Sequence, residues 1–437
     1  MPIRNQIYRF RALFHSVFVR NIVTLVSGTG VAQLIPVLII PVLTRLFTPA
    51  EIGIYASFVA LFQIVSTISC GRYEFAIIIS PYQKEANRLT LISSSFAFAT
   101  GILLFLLLML LAPALSGLLG IPQLSSLSWI ILLPVAVAAQ GLFMSMTFTL
   151  NRNKQYGKIG AGKIVHTGST GVLQILAGLR AAGYTGLIFS KATGVVLSVF
   201  YVWWHTIDNF RNGFREFSFK RTRQTVYKYR NYPYFNAPHA LTTSVSSNLP
   251  VILFIAYFSE AVAGFFAMAI RACYMPIQII SIAYGQVLGK RLAEIKNDKL
   301  PIWPFIKKNA GYLFLIGLIP FGILFAVSPA LFSFVLGEEW VTTGEYIRII
   351  TPWVFLSFIL NPLNYIPMIF NRQKKAFIIE IVYMILRLAA IVTGAVSGSV
   401  ILSLTLYTIT GILVLTYQFL WYRQLCRGFD KRLASIS

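Results

Sequence analysis

Apolar residues in this chain come in long unbroken blocks rather than in the alternating rhythms of half-buried helices and strands. A helix needs about twenty consecutive apolar residues to cross the hydrocarbon of a bilayer. Blocks of that length lie at 21–44, 52–79, 89–112, 126–150, 161–179 and 184–206. After a polar break they resume at 236–257, 262–288, 309–336, 346–370, 376–397 and 399–421. The pattern predicts an all-α membrane protein of about twelve transmembrane helices. It groups them into an N-terminal six-helix bundle over 1–206, a basic cytoplasmic linker over 207–235 and a C-terminal six-helix bundle over 236–437.

Composition points the same way. Of the 437 residues 57% are hydrophobic and only 11% charged, whereas soluble chains carry about 25% charged residues. Mean hydropathy is +0.73. Lipid must therefore be the solvent for most of the surface. The net charge of +24 would suggest nucleic acid in a soluble protein. Here 30 of the 37 Lys and Arg residues fall in the N-terminal segment, the C-terminal tail or the loops after even-numbered spans. The opposite loops carry Glu51, Glu260, Glu338, Glu339 and Glu345. By the positive-inside rule both termini are cytoplasmic. The basic surface, including the tyrosine-rich 207–235 linker, is expected to meet anionic membrane lipids and not nucleic acid. Near the start, Ile7, Phe10, Phe14, Val17 and Phe18 have helical spacing among arginines and predict an interfacial helix on the cytoplasmic leaflet.

Two turns repeat. Phe47-Thr48-Pro49-Ala50-Glu51-Ile52-Gly53-Ile54-Tyr55-Ala56 matches the run from Phe258 to Ala267 as F-[ST]-x-A-x-x-G-x-[YF]-A, at an offset of 211. Asn151-Arg152-Asn153-Lys154 matches Asn371-Arg372-Gln373-Lys374 at an offset of 220. Both matches join corresponding spans of two six-helix halves, which are then parallel repeats. Such repeats commonly meet around a central cleft where a transported species binds.

Four cations lie well inside the apolar blocks: Arg72, Lys191, Arg271 and Arg387. Each costs roughly 2.5–3.5 kcal/mol at the bilayer centre even on the lenient insertion scale. They face the protein interior or an aqueous cavity, either to bind cargo or to pair with backbone carbonyls and the two embedded acids, Glu74 and Glu380. Glu380 and Arg387, seven apart, share a helix face and are expected to neutralise each other in part. Arg72 and Glu74, two apart on a continuous helix, point to different faces and are not expected to pair. Arg271, Tyr274 and Gln278 form one polar stripe. A net positive cleft suits an anionic cargo, and guanidinium suits phosphate. Arg72, Arg271, Arg387, Lys191, Tyr274 and Gln278 are therefore the candidate substrate-binding residues. Glu74 and Glu380 are the candidate coupling residues.

Catalytic chemistry is not indicated. The run from Gly157 to Lys163 imitates a phosphate-binding loop, but Ile164 replaces the magnesium-binding hydroxyl and no strand precedes it. His15, His166, His205 and His239 lack metal-ligand spacing, and Cys70, Cys273 and Cys426 have no pairing pattern. No catalytic residue, metal or cofactor is expected.

With residues 43–56 (LTRLFTPAEIGIYA), Arg72 with Glu74, the Asn151–Lys154 and Asn371–Lys374 turns and the twelve-span count, the sequence resembles Wzx-type O-antigen flippases. These belong to the polysaccharide transporter family of the multidrug/oligosaccharidyl-lipid/polysaccharide exporter superfamily. The resemblance implies a V-shaped, MATE-like pair of bundles in the bacterial inner membrane. It also implies an undecaprenyl-diphosphate-linked oligosaccharide cargo, moved to the periplasmic leaflet for lipopolysaccharide or another surface glycan. A polysaccharide polymerase and chain-length machinery are possible partners. The competing readings are a multidrug/cation antiporter of the same superfamily, disfavoured by the lack of any acid in the first span, and a membrane glycan polymerase, disfavoured by short outer loops.

Overall fold

The computed structural model describes residues 17–215 and 217–435. The interfacial helix expected over 7–18 lies outside the described residues except for its last two positions. Side chains of 17–29 and of seven positions in 275–286, Gln278 among them, also lie outside the description. The described residues are mostly helical, in the order α1 (Val17–Leu46), α2 (Pro49–Ser66), α3 (Glu74–Ile79), α4 (Gln83–Leu119), α5 (Leu127–Arg152), α6 (Tyr156–Leu179), α7 (Gly183–Arg215) and α8 (Phe219–Lys228). There follow α9 (Ala237–Tyr257), α10 (Glu260–Asn297), α11 (Trp303–Leu336), α12 (Val341–Leu360), α13 (Ile366–Ile369), α14 (Gln373–Val396) and α15 (Val400–Ala434).

Helical segments occupy all twelve expected spans. Among the described residues nine stretches are long and apolar enough to cross a membrane. The other three positions are held by α1, whose described apolar part is Gly30–Leu46, and by α6 and α10, which carry polar residues along their length. Many large apolar side chains are exposed, such as Leu110 at 78% and Phe334 at 84%. In water these would be a severe cost; against lipid chains they are the proper surface.

Two blocks that look continuous in sequence are broken in space. The 52–79 block is two helices, α2 and α3, separated by tight turns over 67–73. The 346–370 block is interrupted after Leu360, where Asn361 precedes Pro362. Proline disfavours helical geometry in the residue before it and lacks the amide the helix needs.

The chain divides into two compact units. The first holds Met1–Ile39 and Phe58–Ser244, the second Ile40–Ser57 and Val245–Ser437. Residues 40–57, which sequence spacing groups with the N-terminal bundle, therefore fall in the second unit. In the first unit α4 and α5 approach closely because their contact residues are small: a Cβ on Gly101 would meet Ala138, and one on Gly141 would meet Ala97. Buried hydroxyls cross the same contact, Thr90 to Thr149 at 2.9 Å and Ser93 to Ser145 at 2.5 Å. The basic linker is docked. Tyr229 from the end of α8 joins Tyr73, Ala76, Ile77, Ala86, Leu89 and Ile92 in one cluster, and Lys228 donates to Glu85 at 2.6 Å.

In the second unit the repeated turn explains itself. Thr48 and Glu51 form a capping box on α2, with the Thr48 amide donating to Glu51 Oε2 at 2.8 Å. Ser259, the matching residue, accepts from the Val262 amide on α10 at 3.2 Å. The shared glycines let the two helix starts touch backbone to backbone. A Cβ on Gly53 would overlap the Glu260 carbonyl, and one on Gly264 would overlap the Pro49 carbonyl.

Candidate functional site

The site in the first unit is built by the break after α2. Gly71 and Arg72 both take left-handed backbone angles, φ 59° and 62°. Glycine adopts this freely; arginine does so at a cost of about 1–2 kcal/mol. Such strain in a non-glycine residue marks positions held by their surroundings, commonly at functional sites. The surroundings here are specific: Cys70 donates to the Gly141 carbonyl at 3.0 Å and Thr100 to the Ser69 carbonyl at 3.1 Å. Arg152 at the end of α5 donates to the carbonyls of Ile77 (2.9 Å) and Ser80 (2.6 Å), closing the far end of α3.

This turn corrects the expectation for Arg72 and Glu74. On a straight helix they would diverge, but the left-handed turn brings Arg72 Nη1 to 3.6 Å from Glu74 Oε1. They are an ion pair, though beyond hydrogen-bond length. The Arg72 guanidinium also lies over the Phe75 ring at 5.0 Å. Glu74 is fully buried, and neither of its carboxylate oxygens nor Arg72 Nε has a hydrogen-bond partner. A buried carboxylate with open acceptor positions is rare in settled cores and is more at home where a ligand, a water or a proton completes it. The arginine keeps 17% of its side chain exposed, so it can also reach outward.

Lys191, on α7, is about 12 Å along the helix from Gly183. Its Nζ lies 3.1 Å from His166 Nε2 on α6 and 5.0 Å from the centre of the Phe62 ring. His166 packs edge-on against Phe143. Metal-ligand spacing could not reveal this histidine, because its partner is 25 residues away on the next helix.

In the second unit, Arg387 on α14 is only 8% exposed and is enclosed by aromatic rings. Its guanidinium lies 3.7 Å from the centre of Tyr383, and 5.2 Å from both Trp353 and Tyr407. It donates to the Tyr383 hydroxyl, while its Nε has no partner. Tyr274 on α10 stacks on Trp353 at 5.7 Å and accepts from Asn361 at 3.4 Å. Four helices thus converge on one cation. Glu380 makes no direct ion pair with Arg387 within 4 Å among the described residues, but it is close enough to act on the guanidinium across the intervening turns, as the shared helix face predicts. Arg271, one turn before Tyr274 on α10, is half-buried and close enough to Tyr55 to interact with its phenol. Trp353, Tyr383 and Tyr407 were not among the expected site residues. The only hint was Tyr383, four residues before Arg387 and so on its face.

No group of three or more His, Cys, Asp or Glu side chains among the described residues could hold a metal ion. The cysteines are buried and free.

Long apolar helices, two of them broken, with cations enclosed among them mark a multi-pass membrane protein. The fold agrees. An inward closed structure of the lipid II flippase MurJ aligns with TM-score 0.68 and 12% identity, covering 94% of this chain and 90% of that one. An inward-facing multidrug resistance MATE family transporter of the MOP superfamily aligns with TM-score 0.63 and 14% identity, covering 93% and 96%. At such identities the likeness is one of fold alone. The family comes from the sequence: residues 42–345 match the polysaccharide biosynthesis protein family, and the chain belongs to it. No curated protein matches the sequence.

Proposed function

We propose that the protein is a flippase for an undecaprenyl-diphosphate-linked oligosaccharide, an O-antigen or related surface glycan unit, carried from the cytoplasmic to the periplasmic leaflet by alternating access. The observation that carries this reading is the Arg387 enclosure. A guanidinium held between aromatic faces keeps its planar fork with no carboxylate in direct contact, which suits a diphosphate. Arg72, Arg271 and Lys191 supply further positive charge, and Tyr274 a ring and a hydroxyl of the kind that sugars stack on and bond to. Membership of the polysaccharide biosynthesis family and a fold shared with a lipid II flippase support a lipid-linked cargo. In this reading the termini are cytoplasmic, the membrane is the bacterial inner membrane, and a polymerase and chain-length machinery act on the product.

Glu74 and Glu380 are assigned to resetting the empty carrier. Protonation from outside would change the local charge and bias the direction of opening. The membrane potential, negative inside, favours outward movement of each net negative charge by about 2.3 kcal/mol per 100 mV. A fold shared with multidrug transporters keeps a cation antiporter as the second reading. A deletion strain separates them. Accumulation of a lipid-linked glycan, seen by mass spectrometry and cleared by the wild-type gene but not by Arg387→Ala, is expected. An unchanged glycan profile would contradict the flippase reading.

A further inference from the structure

We propose that His166 and Lys191 form a proton-binding site in the first unit that takes up a proton when an anionic cargo binds. The proposal rests on the flippase reading for its cargo and on the geometry alone for its proton.

Lys191 Nζ and His166 Nε2 are 3.1 Å apart. An ammonium group has donors only, so Nε2 must present its lone pair and the ring carries its single proton on Nδ1. The pair then holds one positive charge between two aromatic rings, Phe62 under the ammonium and Phe143 against the imidazole. His166 lies about 15 Å along α6 from Tyr156, so the pair sits at depth within its helices, where charge is costly. A second proton, on Nε2, would remove the acceptor and set two cations side by side.

The two helices that carry the pair hold no acid beside it: α6 has no Asp or Glu, and the acid on α7, Asp208, lies more than four turns from Lys191. The next charged residue on α6 is Lys163, one turn before His166, and it is also positive. The contact with α1 is apolar, Ile35 and Ile39 meeting Gly171. Farther along α7, Tyr201 and His205 pair with each other. Of the described charged groups only Lys191 is close enough to act on the His166 ring. A diphosphate reverses the balance: its oxygens accept from Nζ and from a newly protonated Nε2 together. The proton arrives from water and returns to water when the cargo leaves, with only an N–H bond made and broken. Cargo binding and proton binding are then linked, each strengthening the other by the same factor.

The test uses the full chain in lipid nanodiscs with 15N-labelled histidine, the His166 resonance being assigned by its loss in His166→Gln. The expected results are two. The ring titrates at a different pH in Lys191→Met than in the wild type, and farnesyl diphosphate, but not farnesol, protonates the ring in the wild type at a pH where it is otherwise neutral. A ring that titrates alike in both proteins overturns the proposal whether or not any diphosphate binds. Binding of farnesyl diphosphate, seen by its own 31P signal, without protonation of His166 also overturns it. If no diphosphate binds, the cargo reading fails with the linkage, while the Lys191 comparison still decides whether the pair is a proton site.

Discussion

A cation in a membrane helix can be supported in several ways, and this protein uses three of them. Arg72 leans on a buried carboxylate, Lys191 on an imidazole, and Arg387 on aromatic faces. The third has a clear consequence for substitution. Lys is a compact ammonium and cannot reproduce a plane stacked between rings. Arg387→Lys should therefore behave almost like Arg387→Ala in surface glycan production, while Arg271→Lys should retain part of it. A charge-assisted hydrogen bond of about 1.5–3 kcal/mol corresponds to a loss on the order of tenfold to a hundredfold in transport. Immunoblots of membrane fractions check that each variant is inserted, and full activity of Arg387→Lys would refute the stacking argument. The charges themselves are legible in sequence, because Arg, Lys and Glu stand out in apolar blocks. Their partners are not. Trp353, Tyr383, Tyr407 and Phe62 are apolar enough to pass for lipid-facing residues until the helices are assembled.

The elements show where periodicity misleads. The 52–79 block reads as one span by its overall hydropathy, although Ser66, Thr67, Ser69, Gly71 and Arg72 in its middle are residue types that mark the break between α2 and α3. Everything said of Arg72 and Glu74 turned on that break. The repeated turn was legible, by contrast, because capping and close approach each demand particular residue types: a hydroxyl at the helix start, then a glycine five residues later. Gly53→Val and Gly264→Val should each cost about 1–3 kcal/mol, since a side chain there meets backbone that cannot rotate aside. Lower melting temperatures in detergent would check this, with Gly117→Val, whose added carbon meets nothing, as the comparison. The docked linker carries a pH dependence. The hydrogen bond from Lys228 to Glu85 holds the lysine above its usual range. Its folded value thus exceeds the unfolded one, so the stabilisation is present below the lysine range and lost as pH rises through it. Amide exchange in α8 should quicken at alkaline pH in the wild type and show no such added step in Glu85→Gln.

For the whole molecule, the distribution of basic residues predicts the topology that the helices then have to obey. Reporter fusions at Gly337 and Ser397 should be periplasmic and those at Lys220 and Lys296 cytoplasmic. A cytoplasmic signal at Gly337 would break the map. The central claim, that the cations of this membrane protein serve a diphosphate-linked glycan, is tested most directly by reconstitution. Purified protein in proteoliposomes should move a short-chain polyprenyl-diphosphate oligosaccharide between leaflets, as read by a membrane-impermeant lectin or glycosidase. The rate should fall on the order of tenfold or more in Arg387→Ala and should respond to an imposed potential. Equal rates in wild type, Arg387→Ala and protein-free vesicles, with uptake of an organic cation driven by a proton gradient instead, would contradict the account.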